Sequence, residues 1–277
     1  MNRSELGVTL RALRIASGRE AKAVARSAVM SPSKLSKIET GKLSPSADDV
    51  DRILTALEVS EAVKAEYLDA ARAVATEATA WRLIQRAGLH KAQERLRAIE
   101  ARMSLLRVFQ PALIPGLLQT PEYARAILSR HDDLTEETVR RTVAARLERQ
   151  SALYDEGKAF RFVLTEPVLR WLIVPPMVMV GQLDKLISVT RLPNVDLRVV
   201  PLAGPKRDIP NHAFVVRDDR AVTVETVHAE VVVTDPRDVA VYVAKFDGFA
   251  EDAVTGAESI TLLEGVRDEL LRQRESL

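Results

Sequence analysis

Four side chains in the stretch SPSKLSKIETG, residues 31–41, have the chemistry to touch a polyanion: Ser33, Ser36, Lys37 and Thr40. Read as a helix over residues 32–40, the stretch turns Leu35 and Ile38 one way and these four the other, with Lys34 on the flank. Short hydroxyl side chains let a helix backbone sit deep in a groove and exchange hydrogen bonds with phosphates or base edges, and lysines reach phosphates or guanine acceptors. The Glu/Lys pairing usual on a solvated helix is missing from this face. Arg19, Lys22 and Lys42 flank the stretch and are candidates for the same surface. Taken alone, the helix also reads as an ordinary capped surface helix.

The elements that must hold these residues have legible starts and stops. Ser31 is a good N-cap, Pro32 occupies the first helical position where its missing N–H costs nothing, Met30 can staple onto Leu35, and Gly41 closes the helix. Upstream, Ser4 can cap a helix with Leu6, Leu10 and Leu13 on its apolar face, ending near residues 17–18. A second helix, about 20–28, presents Ala21, Val24, Ala25 and Ala28, small enough for close approach. Downstream, Ser46 caps a helix with Asp48 and Asp49 in its first turn and Val50, Ile53, Leu54 and Leu57 inward, followed by another helix with Val63, Tyr67, Ala71 and Val74 inward. Residues 1–76 thus read as an all-α domain.

Composition bounds what such a module belongs to. A chain of 277 residues with 47% hydrophobic and 29% charged content is long enough for two globular domains. No apolar run approaches the length of a membrane span and the N-terminus lacks the pattern of a secretory signal, so a cytoplasmic location is expected. Zero cysteines exclude disulfides and thiolate metal sites, and the four histidines are too scattered in sequence to suggest a metal centre. The net charge of +1 conceals an asymmetry: residues 1–45 carry nine Lys/Arg against three Glu, +6, leaving −5 for the remainder. A basic segment on a mildly acidic chain is the footprint of a module that approaches a polyanion.

The string AVARSAVMSPSKLSKIETGKLSPSADDVDRILTALEV resembles the helix-turn-helix of Cro/CI and XRE-type transcriptional regulators. The resemblance puts Ala25 on the small residue of the second helix, Ser33 to Lys37 on the recognition helix, and Ile38, Glu39 and Gly41 on its end. It implies that Ser33, Lys34, Ser36 and Lys37 contact DNA. Two positions depart from the family pattern. Ala21 stands where many members have a glutamine that contacts phosphate, a loss that Arg19 or Lys22 can offset. Val29 replaces the usual turn glycine, which predicts that this turn avoids a positive φ.

Beyond residue 77 the pattern changes. EATAWRLIQRAGLHKAQERLRAIEARMSLLRVF reads as helical, with Leu89, Ala92, Leu96 and Ile99 on one face; it can link domains, pair subunits, or pack on its own domain. Helical segments at about 121–130, where Thr120, Pro121 and Glu122 make a clean start, and at 135–153, 176–191, 235–250 and 256–273 alternate with strand-like runs FRFVL, VDLRVV, HAFVV, AVTVET and EVVVT, and RDDR reads as a hairpin turn. The expected fold is therefore an all-α helix-turn-helix domain followed by an α+β C-terminal domain, residues 77–277, with a linker helix at its start. FQPALIPGLLQTPEYARAIL, with the later segments in order, resembles the C-terminal domain of the actinobacterial Scr1-like antitoxin-type regulators, a DUF5753-like domain. That likeness implies a dimerisation, signal- or partner-binding role.

No phosphate-binding loop, dinucleotide fingerprint, zinc-protease helix or nucleophile elbow is present, so no enzyme activity, cofactor or metal is expected. The nearest acid–base candidates are Glu166, Glu225, His228 and Glu230. Read as one strand, ETVHAE puts Glu225 and Val227 on one face and His228 and Glu230 on the other, more often a solvated polar face than a catalytic pair. These observations lead to the expectation of a dimeric, sequence-specific DNA-binding transcriptional regulator on a pseudo-palindromic operator. The alternative is an antitoxin-like module that holds a small partner protein encoded nearby.

Overall fold

The computed structural model describes residues 3–43, 45–80, 88–227 and 229–275, which divide into two compact units: residues 1–78 with 231–239, and residues 79–230 with 240–277. The first unit is built on α1 (Arg3–Ala16), α2 (Ala21–Ser27), α3 (Pro32–Glu39), α4 (Ala47–Ala56) and α5 (Glu61–Ala75). Helix α1 already includes Ser4, the residue expected to precede it. The stripes read from the sequence converge in one core: Leu6, Leu10, Val24, Ala25, Ala28, Leu35, Ile38, Val50, Ile53, Leu54, Leu57 and Ala71 are buried together, with Met30 packed against them.

How these helices end decides how they pack. After α2, Met30 N–H donates to the Ala25 carbonyl and Val29 N–H to Arg26, while Val29 takes a left-handed φ of 53°. This is the Schellman termination, in which the residue after the C-cap must turn left-handed to let the two bonds close. The expectation that a valine would keep this turn out of positive φ is therefore wrong: the turn is set by the burial of both helices, and the side chain accepts the strain. The same closure follows α3, with Gly41 at φ 66°, Gly41 N–H on Ile38 and Lys42 N–H on Lys37; it recurs after α4 with Glu58 at φ 58°. Gly7 has a different task. A methyl at that position would collide with the Ile38 carbonyl oxygen and lie 3.2 Å from Gly41 N, so glycine lets α1 pass directly over the end of α3.

The second unit follows β1 (Thr76–Ala80), a strand where the sequence reads as helix. Residues 81–87 lie outside the described residues, α6 (Leu89–Glu100) follows, and SLLRVF forms β2 (Leu105–Gln110) instead of extending the helix. Strands on both sides pair with β2, one along its whole length and the other across Leu106 to Phe109, which outweighs helical continuity. Helix α7 (Pro121–Leu128) is capped by Thr120 with Pro121 at the first position, as read from the sequence. Then come α8 (Glu136–Arg149), β3 (Ala159–Thr165), α9 (Glu166–Arg170), α10 (Pro176–Val189), β4 (Val195–Val200), β5 (Phe214–Arg217), β6 (Ala221–Glu225), β7 (Ala229–Val233), α11 (Pro236–Glu251) and α12 (Ala257–Glu275).

Strands β2 to β7 form a six-strand mixed sheet in the order β7-β6-β5-β2-β3-β4. β2, β3 and β4 are parallel, and β5 and β6 run antiparallel beside them. RDDR makes the β5–β6 turn, with Asp218 and Asp219 both left-handed at φ 49° and 51°. One face of the sheet, through Leu106, Val108, Phe160, Phe162, Leu197 and Val199, packs into an apolar core with residues from α10 and α12. The other carries Phe109 and Phe214, with the Phe109 ring stacked on Phe249 of α11 at 3.9 Å. This is an all-α helix-turn-helix unit followed by an α+β domain. No helix among the described residues is long and apolar enough to cross a membrane.

Two substitutions test the helix junctions in opposite directions. Val29→Gly should raise the stability of the first unit by about 1 kcal/mol, the relief of left-handed strain less the entropy glycine adds to the unfolded chain. Gly7→Ala should lower it by about 2 kcal/mol or more. Both are read from urea unfolding; a destabilising Val29→Gly would contradict the strain argument.

Candidate nucleic-acid interface

Helix α3 is held at both ends. At its start the Ser31 hydroxyl accepts from Lys34 N at 3.1 Å, and at its end Glu39, buried at 6% exposure, takes a two-pronged bond from Arg14 of α1. Arg14 Nε donates to Oε1 at 2.6 Å and Nη2 to Oε2 at 2.9 Å, a fork-to-fork geometry that fixes orientation as well as distance. The Glu39 hydrogen bond, against the cost of burial, holds the Arg14 guanidinium above its ordinary range.

The side chains singled out from the sequence now separate into two groups. Ser33, Ser36, Lys37 and Thr40 are exposed on one face of α3, and Lys22 on α2 and Lys42 after α3 are exposed as well. The Thr40 hydroxyl donates back to the Ser36 carbonyl at 2.8 Å. Lys34 and Arg19 are engaged inside the unit. Lys34 Nζ donates to Asp49 Oδ1 at 2.6 Å, and Arg19 donates to the Ala56 carbonyl at 2.7 Å and meets Glu58 at 2.5 Å. Arg19 and Glu58 thereby tie together the ends of α1 and α4.

Asp49 joins α3 to α4. It completes a capping box with Ser46: Asp49 N–H donates to the Ser46 hydroxyl at 3.1 Å and Asp49 Oδ2 accepts from Ser46 N at 3.2 Å. Burial pushes its carboxyl up, but the Lys34 ammonium and the Ser46 donors outweigh that and hold it below the ordinary carboxylate range. The sequence marked Asp49 as a first-turn acid and Glu39 as part of a motif; it did not show that each anchors the helix that displays the exposed hydroxyls. The available signal was scarcity. Glu39 is one of only three acids in a strongly basic segment of 45 residues.

The acid–base candidates of the second unit are placed differently from their sequence reading. Glu166 is occupied, its Oε2 accepting from Leu202 N at 2.7 Å and its Oε1 from Arg170 Nε at 2.6 Å. ETVHAE is a hairpin and not one strand. β6 ends at Glu225 and β7 begins at Ala229, because Thr226 N–H donates to the Ala229 carbonyl at 2.8 Å while its hydroxyl accepts from Ala229 N at 3.1 Å. Glu225 and Glu230 therefore face one another on neighbouring strands, and His228 lies outside the described residues.

The Asp49 shift carries a pH signature for the first unit. A carboxyl depressed by folding adds stability that is present above its unfolded value of about 4 and disappears as pH falls through the folded value. Asp49→Asn should therefore cost about 1–2 kcal/mol at pH 7 and progressively less as pH falls below about 4. Urea titrations across this range check this; a cost that does not change with pH would place the stabilisation in packing instead of charge.

Comparison with known families identifies a helix-turn-helix domain over residues 5–67 and, over residues 93–265, a domain of unknown function, DUF5753. No curated protein matches the chain. One similar solved structure is TrmBL2, an archaeal chromatin protein described as showing a novel mode of DNA binding. It is 16% identical over 74% of this chain, which spans just under two thirds (66%) of that one, with a TM-score of 0.34. Another is NucT from Helicobacter pylori, 12% identical over 65% of this chain and 98% of that one, with a TM-score of 0.37. Both are distant likenesses. The DUF5753 match covers well over half of the residues, so the chain belongs to that family and carries a helix-turn-helix domain ahead of the family domain.

Proposed function

We propose that the protein is a sequence-specific DNA-binding transcriptional regulator that acts in the cytoplasm as a dimer on a pseudo-palindromic operator. The observation that carries this reading is the face of α3. Ser33, Ser36, Lys37 and Thr40 are exposed on a helix anchored at one end by Arg14–Glu39 and linked to α4 by Lys34–Asp49. A helix so held presents hydroxyls and a lysine without reorganising, and its N-terminus favours a phosphate. Lys22 and Lys42 serve the backbone on either side, while Lys34 and Arg19 position the helix and keep at most a secondary phosphate contact. One such module reads few base pairs, which is the reason to expect two copies on one site. In this reading the protein binds and does not turn over a substrate.

A second reading, capture of a small partner protein by the C-terminal domain in the manner of an antitoxin, is favoured by large apolar side chains left in solvent on that unit. Trp171 is 69% exposed, Leu202 60% and Ile209 71%. The two activities are compatible.

Selection of bound fragments from the source genome, followed by salt titration on the best site, tests the first reading. An enriched two-fold-related motif is expected, with affinity falling steeply as salt rises. Lys37→Ala should weaken binding by about 1 kcal/mol or more and flatten the salt slope by about 1, and Ser33→Ala should change sequence preference with little change in slope. No enriched motif, or affinity indifferent to salt, would sink the DNA reading. A Lys37→Ala chain that no longer binds DNA but still captures a protein encoded nearby would assign capture to the other unit.

A further inference from the structure

The face of the sheet that carries Leu106 changes character halfway across. On β2, β3 and β4 it is apolar, with Leu106, Phe162 and Leu197. On β5, β6 and β7 the same face carries charge. Arg217 pairs across with Leu106 and so points the same way; Thr223, opposite Val215, and then Glu225 follow by strand alternation, and Glu230 faces Glu225 across the hairpin. Arg146 and Arg149 of α8 and Glu100 of α6 lie within electrostatic reach of these strand residues. Burying so many charges is costly unless each is paired.

The pairing is incomplete. Glu100, 3% exposed, lies 3.3 Å from Arg149, and Arg149 Nη1 donates to Gln93 at 2.7 Å. Arg146 Nη1 donates to Gln119 at 2.5 Å and Arg217 Nη1 to Thr223 at 2.7 Å. Yet the Nε–H groups of Arg146 and Arg217 have no hydrogen-bond acceptor among the described residues, although Arg217 is only 9% exposed, while the Arg149 Nε is taken up by its ion pair with Glu100 Oε2. Glu225 and Glu230 are coupled electrostatically to Arg217, and Glu225 also to Arg146 and Arg149, yet neither glutamate comes within 4.0 Å of an arginine among the described residues. Two carboxylates directly opposite one another on adjacent strands repel, an arrangement that a cation relieves. Glu225 is exposed and opens the cluster to solvent, while the surrounding protein and then Glu230 push its carboxyl up. Gly116 borders the arginines: a methyl there would lie 3.5 Å from Arg146 Nε and from Arg149 Nη2.

We propose that this cluster is a binding site for a small zwitterion of the α-amino-acid class, whose carboxylate takes the unspent Nε–H donors of Arg146 and Arg217 and whose ammonium sits against Glu225 and Glu230. Unpaired guanidinium donors on one wall and two repelling carboxylates on the other match the two ends of such a ligand, and neither a simple anion nor a simple amine satisfies both. The site lies within the second unit and does not depend on the DNA reading. It makes that unit a receiver of a small-molecule signal.

Thermal unfolding of the full-length chain with each proteinogenic L-amino acid, and separately with inorganic phosphate, at about 10 mM tests the assignment. At least one amino acid should raise the midpoint by about 2 °C or more, and its analogue lacking the amine should not. Glu225→Gln, at the open side of the site, should weaken that ligand about 10-fold, and Arg146→Met at least as much, whereas Lys37→Ala should leave it unchanged. Should Arg146→Met fail to fold, Glu225→Gln alone decides. The proposal is overturned if no amino acid shifts the midpoint, if Glu225→Gln leaves the shift intact, or if phosphate alone stabilises the chain.

Discussion

The bond between Arg14 and Glu39 governs the N-terminal unit. It joins the first helix to the last turn of α3 through a buried carboxylate, at the place where Gly7 allows the two backbones to come together. Losing either partner would leave a desolvated charge, so the arrangement is close to all-or-none. Everything exposed on α3 inherits its position from this contact and from the Lys34–Asp49 bridge. The hydroxyls and Lys37 that suit a groove are therefore displayed by a helix whose other cation and single acid, Lys34 and Glu39, are spent on holding it still.

The second unit solves a different problem with the same residue types. Half of one sheet face is closed by an apolar core, which needs only volume and shape. The other half carries charges that are coupled to arginines of α8, at positions where the helix repeat would ordinarily carry leucine. Val139 and Val143 begin an inward stripe that continues as Arg146 and Gln150, with Thr142 leading to Arg149 beside it. A polar interior of this kind gives up hydrophobic stabilisation, and the donors left without acceptors give it a chemical character that the apolar half lacks.

Much of the fold was legible in the sequence because it rests on local chemistry. Caps at Ser31, Ser46 and Thr120, the proline at the first position of α3 and α7, and the RDDR turn act within a few residues of themselves, and the structure bears them out. The misreadings share a cause. Residues 105–110 became a strand because strands distant in sequence pair with them, ETVHAE became a hairpin because a threonine closes a turn inside it, and Val29 went left-handed because two buried helices require that turn. In each case a non-local demand overrode a local preference.

By itself the sequence determined which side chains of residues 32–40 would be inward and which outward, since helical periodicity and caps depend on neighbours three and four residues away. It also determined the class of each unit. Only the tertiary structure decided that Lys34 and Arg19 are tied into the unit while Lys37 stays exposed, that Glu39 is a clamp, and that Arg146, Arg149, Arg217, Glu225 and Glu230 form one cluster. The reason is one of range. A charge chooses its partner by distance in space, and these partners lie from 15 to 39 residues apart in the first unit, with Glu100 and Arg149 farther apart still in the second, where no periodicity of the chain records them.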